Sequence, residues 1–253
     1  MKSVLAIAVV TVREALRQKL AVNLLLFALL VIAGSIVLSE LTFGEQYRII
    51  ADLALSSAQV FGTLIAVFLG AGMVAGDVQR RVLYPILAKP IGRWQYLLGR
   101  YLGLVVTLWL NLAVMGATTA VVFGVYLGGA DKMAATPLAP ALLGLAAQLA
   151  VVGAVAILFS AFTNPTLAAI FTLSLVVAGH FVRELLIYWR GLAPLRAVGL
   201  LLPNLAALDY KVNLVYQEPV AAGALGLALL HAALYVATSL ALASAVFGRR
   251  DLR

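Results

Sequence analysis

The chain has 253 residues, 64% of them hydrophobic and 11% charged, with no cysteine and a formal net charge of +8. A soluble globular domain is near half apolar and a quarter charged, so this composition excludes one and indicates a bilayer protein built of helical crossings. The lack of cysteine removes disulfides, thiolate nucleophiles and thiolate-ligated metals. In an all-helical membrane protein the excess of lysine and arginine sets orientation rather than binding nucleic acid.

The first twenty residues read as an interfacial elbow helix. Lys2, Arg13 and Arg17 fall within about 60° on a helical wheel, and Val4, Leu5, Val9, Val12, Leu16 and Leu20 supply apolar surface. Charges lie on both sides of the apolar stretch and no small-residue cleavage site follows, so the segment is expected in the mature chain. Six apolar runs then have the length of a crossing: Val22–Leu38, Leu53–Ala75, Leu97–Leu127, Ala141–Phe162, Thr166–Tyr188 and Val220–Phe247. The expectation is one all-α membrane domain over residues 1–253 with six transmembrane helices. Its further parts are the elbow at 1–20, a cytoplasmic coupling region at 76–96 and an external re-entrant region at 190–219.

Between the second and third runs lies GDVQRRVLYPILAKPIGRWQYLLGRYLG, Gly76 to Gly103. Asp77, Arg80 and Arg81 share about a turn of helix, Val82, Leu83, Ile86 and Leu87 form an apolar stripe, and Pro85 and Pro90 break the chain. A short amphipathic helix docking on a soluble partner has this pattern, and so does one lying on anionic lipid with Trp94 and Tyr96 as anchors. Gly72 and Gly76, like Gly99 and Gly103, are small-xxx-small pairs suited to close helix packing. Asn111 and Gln148 are amides inside the runs, where they either hold helices together or line a wet path. His180 and His231 lie on different runs and read as packed or cavity-lining residues, His180 one turn from Glu184. The stretch Leu192–Leu208 is apolar but interrupted by Pro194, Arg196 and Pro203, which suits a re-entrant piece at the external mouth rather than a crossing. Pro194, Pro203 and Asn204 are its candidate gate residues.

The chemistry of an enzyme is missing. There is no Gly-x-Ser with a histidine partner, no aspartate within a run and no phosphate loop, since no lysine follows a glycine. Neither intramembrane carboxylates nor an internal repeat points to an ion-coupled carrier. Any ATP must therefore be handled by another chain.

The acid just past the second run, the basic pair and Leu87-Ala-Lys-Pro-Ile-Gly-Arg-Trp-Gln-Tyr-Leu-Leu-Gly-Arg resemble permeases of the type-2 ABC transporter family. The likeness extends to Arg13-Glu14-Ala15-Leu16-Arg17 in the elbow, to Leu202-Pro203-Asn204-Leu205 and to Phe247-Gly248-Arg249-Arg250-Asp251-Leu252, which are similar to the branch tied to multicopper-enzyme maturation. Val82 departs from the small or hydroxyl residue expected there. The resemblance implies a non-catalytic permease subunit in the inner (cytoplasmic) membrane, paired with a second permease chain as a homo- or heterodimer. Two ABC ATPase subunits would carry MgATP, this chain binding no cofactor. Asp77, Arg80, Arg81, Leu83, Tyr84, Ile86 and Leu87 would couple to the ATPase, and Asn111 and Gln148 would mark the pathway. Export is the implied direction. The alternative is a non-transporting scaffold or mechanical transmitter that uses the same ATPase to act on an external, periplasmic protein.

Orientation follows from assigning every charge of the chain to one end or the other of the six runs. One side holds twelve lysines and arginines against three acids, 12 − 3 = +9, and the other six against seven, 6 − 7 = −1. The positive-inside rule makes both termini cytoplasmic. In this cysteine-free chain Lys132→Cys should react with an impermeant maleimide in intact cells and Arg93→Cys only after permeabilisation; the reverse pattern would invert the topology.

Overall fold

The structure is a computed structural model and describes residues 2–40, 46–79, 92–127, 137–188 and 202–249. Among these residues every regular element is helical: α1 (Lys2–Leu16), α2 (Lys19–Glu40), α3 (Gln46–Gln79), α4 (Arg93–Leu127), α5 (Leu138–Phe162), α6 (Pro165–His180), α7 (Val182–Tyr188), a 3-10 turn (Leu205–Leu208), α8 (Lys211–Val215) and α9 (Ala222–Arg249). Five of them, α2, α3, α4, α5 and α9, are long and apolar enough to cross a bilayer. At 1.5 Å per residue α3 and α4 are each about 50 Å long, well over the roughly 30 Å hydrocarbon core, so both project beyond it.

The axis is α3. It packs against α2, α4, α5, α6 and α8, and 67% of its most apolar stretch is buried, against 11% for α9 at the periphery. Contacts between α1, the start of α4 and the end of α9 define one end of the bundle, here called basal. Helices α2, α4 and α6 run away from it and α3, α5 and α9 run back.

The expected fifth crossing is built in two pieces. Asn164 accepts the Leu167 N–H at 2.9 Å and Pro165 occupies the first helical turn, so α6 starts at a well-made N-cap. Its sixteen residues span only about 24 Å. The helix stops at Phe181 (φ −99, ψ 12), and α7 resumes one residue later. The cause is local crowding: a Cβ on Gly179 would lie 2.7 Å from the Pro203 carbonyl, so the 202–216 segment is pressed against the end of α6. That segment folds inward over α5, α6 and α3 instead of crossing. Pro203 and Leu205 are buried, and Asn204 caps the 3-10 turn by accepting the Ala207 N–H at 3.2 Å. Pro194 lies outside the described residues.

Close backbone approaches fix the other helices. Cβ atoms on Gly99 and Gly103 would come within 2.8 Å of Ile7 and 2.5 Å of Thr11, so this glycine pair seats α1 against α4. A Cβ on Gly72 or Gly76 would meet nothing within 4 Å among the described residues. Between α3 and α5 a Cβ on Gly70 would lie 2.5 Å from the Ala156 Cβ. One turn on, Ser160 reaches into the α3 backbone: its Oγ accepts the Val74 and Ala75 N–H groups at 3.2 and 2.9 Å and donates to the Ala71 carbonyl at 2.7 Å. A hydroxyl inserted into a helix ladder in this way is a recognised cause of bending.

Gly70→Ala should therefore destabilise the bundle by about 1–3 kcal/mol through overpacking, read as a lower melting temperature of the detergent-purified protein. Adding Ala156→Gly should restore most of the loss. An unchanged melting temperature for Gly70→Ala would contradict this packing.

Candidate functional site

Two polar centres, one at each end, interrupt an otherwise apolar bundle. The basal centre forms around Arg100, two turns into α4 and 5% exposed. An unpaired guanidinium at this depth is expensive, and here every direction is occupied. One terminal nitrogen donates to the Glu14 carboxylate at 2.5 Å and to Thr11 Oγ1 at 3.3 Å, both on α1. The other pairs with Asp77 at the end of α3, and Nε donates to the Tyr96 hydroxyl at 3.4 Å. Tyr96, fully buried, donates in turn to Asp77 and stacks on Phe247 of α9 with ring centroids 6.0 Å apart. Arg93 completes the ring of contacts by donating to the carbonyls of Phe247 and Gly248 at 2.7 and 3.0 Å. One cluster thus joins α1, α3, α4 and α9.

Asp77 is in the last turn of α3, continuous with the crossing, rather than in a separate short helix. Arg80, Arg81, Leu83, Tyr84, Ile86 and Leu87 lie outside the described residues, in the segment 80–91 that connects the two arms of this cluster. Beside it a crevice of about 530 Å³ opens between α1 and α3, lined by Glu14, Arg17, Gly72, Gly76, Asp77 and Arg100 among others.

The distal centre lies about 27 Å from Asp77, counting eighteen residues back along α3 to Gln59. His180 Nδ1 is 2.9 Å from the Val176 carbonyl, which only accepts, so Nδ1 carries the proton. Nε2 then offers one lone pair to two side-chain amides, those of Gln148 (3.0 Å) and Gln59 (3.2 Å). Gln59 Nε2 also faces Gln148 Oε1 and Asp209 Oδ2, each at 3.4 Å. Two amide hydrogens are therefore offered three acceptors, so the bonds can exchange without leaving a group bare. Asp209 uses its other oxygen to accept the Lys211 N–H at 3.0 Å, which sets the turn into α8. The space between these side chains is about 10 Å³, room for roughly one water. Tyr47 ties α3 to the same cap by donating to the Leu214 carbonyl at 3.0 Å.

The residues singled out from sequence separate here. Gln148, Pro203 and Asn204 meet at the distal centre or its cap. Asn111 is buried on α4 and donates to the Thr107 carbonyl of its own helix at 2.9 Å, apart from Gln148. His180 pairs with amides, not with Glu184, and His231 is exposed on α9 beside Tyr235. Glu14, Tyr96, Arg100, Gln59 and Asp209 were not expected in a site. Arg100 and Gln59 were a charge and an amide inside apolar runs and Tyr96 read as a lipid anchor, whereas Glu14 and Asp209 stood outside the runs.

A family model described as "ABC-2 family transporter protein" matches residues 5–252, nearly the whole chain. No curated protein matches it.

Because Arg100 neutralises Asp77 in a buried setting, Arg100→Gln should cost about 3–5 kcal/mol by stranding that carboxylate. Glu14→Gln, whose side chain is 53% exposed, should cost about 1 kcal/mol or less. Melting of the two purified variants checks the order, and equal losses would remove Arg100 from its central place.

Proposed function

The chain belongs to the ABC-2 transporter family, and we propose that it is the permease subunit of an ATP-driven exporter in the inner membrane. Two permease chains sit on two separate ATPase subunits, which bind and hydrolyse MgATP. Both termini face those subunits in the cytoplasm, in line with the charge asymmetry of the sequence.

The observation that carries this reading is the basal cluster. Both ends of the segment 80–91 are rooted in it, through Asp77 on one side and Arg93, Tyr96 and Arg100 on the other. A push on that segment from a closing ATPase reaches α3 and α4 directly, α1 through Glu14 and α9 through Phe247. Arg80, Arg81, Leu83, Tyr84, Ile86 and Leu87 are the contact residues in this scheme. At the far end the segment 202–216 acts as the gate, held over the bundle by the exchangeable amide and imidazole bonds around Gln148, and Asn111 lies on the path below it.

A second reading is supported by the tightness of that distal centre, which leaves space for about one water, and by Asn111 turning to its own backbone. A bundle packed shut can transmit motion without passing a substrate. The chain then works as a mechanical transmitter acting on an external protein, and the likeness to the multicopper branch suggests a metalloenzyme awaiting its copper.

Replacing Leu83 and Tyr84 by alanine tests the coupling common to both readings. Loss of two apolar anchors at an interface should weaken ATPase association by about 2–4 kcal/mol, seen as loss of co-purification at unchanged permease yield. Full co-purification with the ATPase rate unaltered would overturn the assignment of this segment.

A further inference from the structure

The hydrogen bonds of the distal centre suit one protonation state of its imidazole. His180 gives its Nδ1 proton to the Val176 carbonyl, which leaves Nε2 with a lone pair and no hydrogen. Opposite that lone pair stand two amide nitrogens, Gln148 Nε2 at 3.0 Å and Gln59 Nε2 at 3.2 Å. Gln59 Nε2 is also 3.4 Å from Gln148 Oε1 and 3.4 Å from Oδ2 of Asp209, the residue that ends the 3-10 turn Leu205–Leu208. A chain of donors and acceptors thus runs from α6 through α5 and α3 to that turn. Imidazole is the side chain that ordinarily gains a proton between about pH 8 and 5. A hydrogen on Nε2 would face two N–H donors, so Gln148 must turn its amide over to present Oε1. Its nitrogen then stands where Oε1 was, opposite Gln59 Nε2, and Gln59 has to turn over to accept from it. That turn sets the Gln59 carbonyl against Asp209 Oδ2, two acceptors in contact, and the bond from α3 to the 3-10 turn is lost.

We propose that His180 is a proton-operated latch: a proton on Nε2 reverses the amide chain and frees the 3-10 turn from α3. The next helix stays in place, since Lys211 holds Asp52 at 3.3 Å and Ser56 Oγ at 3.1 Å and Tyr47 holds the Leu214 carbonyl at 3.0 Å. The turn therefore hinges at the start of α8. Few ionisable groups surround the ring. There is none on α5, and His180 is the only one on α6. On α3 the nearest acid is Asp52, about two turns from Gln59 and paired with Lys211. The cap adds Asp209, Tyr210 and Lys211, α7 adds the exposed Glu184 and Tyr188, and α9 adds the exposed His231. The side chain of Arg183 lies outside the described residues, as do Arg190 and Arg196. Asp209 would attract a charged ring, but its Oδ1 accepts the Lys211 N–H at 3.0 Å and the Gln59 amide stands between it and Nε2. The latch depends on which groups donate and which accept, not on net charge. It operates whether the protein exports or transmits, and whether or not the segment 202–216 is a gate.

Two measurements on the full chain in lipid nanodiscs test the latch. The chain has two histidines, so His231→Asn leaves His180 as its one imidazole, and nitrogen-15 spectra of that variant read the ring directly. They should show hydrogen on Nδ1 alone at about pH 8 and on both nitrogens near pH 5. Hydrogen exchange is then compared between wild type and His180→Gln at each pH, so that intrinsic rates cancel. For peptides covering 204–209 the ratio of wild-type to variant exchange should rise about three- to tenfold from the basic to the acid end, the equilibrium worth of one net hydrogen bond. The ratio for 211–216 should stay constant, and that for α4 should stay near one, which shows that the variant is folded. Because His180→Gln keeps Asp209, an effect owed to the carboxylate's own proton would appear in both chains and cancel. A ring that holds hydrogen on Nδ1 alone down to pH 5 would overturn the latch, and so would a ratio for 204–209 that does not change with pH. Slower exchange of 204–209 in acid would overturn it too, by showing that Asp209 pairs with the charged ring instead of being released.

Discussion

A guanidinium inside an apolar bundle has to be satisfied completely or not be there, and the basal half of this protein is organised by that requirement. Arg100 is one turn from Tyr96 and two from Arg93 on the same helix, so meeting its needs draws Glu14 and Thr11 from α1 and Asp77 from α3 into one plane. Such ion clusters are weak evidence of net stability, because desolvation offsets much of the attraction. Their effect is on specificity: only one arrangement of α1, α3 and α4 pairs every charge. The glycines at 99 and 103 agree with it, since α1 can reach Arg100 only where the α4 surface is bare enough to let its backbone approach.

The distal centre is the chemical opposite. Its core is imidazole and amide, with a single carboxylate at the edge, and its bonds run to 3.4 Å. Breaking one charged contact in a dry site strands an ion, whereas exchanging one amide acceptor for another costs little when a spare is within reach. A permease needs one end that holds its geometry while force enters and another that can change partners. The distribution of charge between the two centres suits the scheme proposed above, with the exchangeable end where the chain folds back at Pro203 and Asn204.

The crossings were legible in the sequence because hydrocarbon imposes a length and a composition together. The charges were not. Arg100 and Glu14 look the same in a sequence whether they orient a protein in the bilayer or lock its helices together, and only the meeting of α1 with α4 distinguishes the two. The two small-xxx-small pairs make the same point: Gly99 and Gly103 receive a helix and Gly72 and Gly76 do not, although the spacing is identical. Thr166–Tyr188 read as one crossing since nothing in its apolar pattern records the Pro203 carbonyl pressing on Gly179. Gln148 stood out as an amide in an apolar run, but its partners Gln59, His180 and Asp209 come from helices and loops up to about a hundred residues away, and a linear pattern carries no trace of that.

The empty glycine pair has a consequence for how motion passes up α3. Ser160 holds the Ala71 to Ala75 backbone from the α5 side, and Gly70 rests against Ala156 just above it. Gly72, within that brace, and Gly76, one turn below it, line the crevice of about 530 Å³ and meet no neighbour among the described residues. The last turns of α3 are thus fixed at the Ser160 level and have room at the level of Asp77. In the proposed coupling scheme, a displacement entering at Asp77 would meet a helix already perturbed where Ser160 enters its ladder and packed tightly above, so that α3 would pivot there rather than slide as a rod. In that scheme motion at the basal end would reach Gln59 as tilt, about 27 Å away, where three acceptors share one amide and a small rotation would be enough to change which of them it serves.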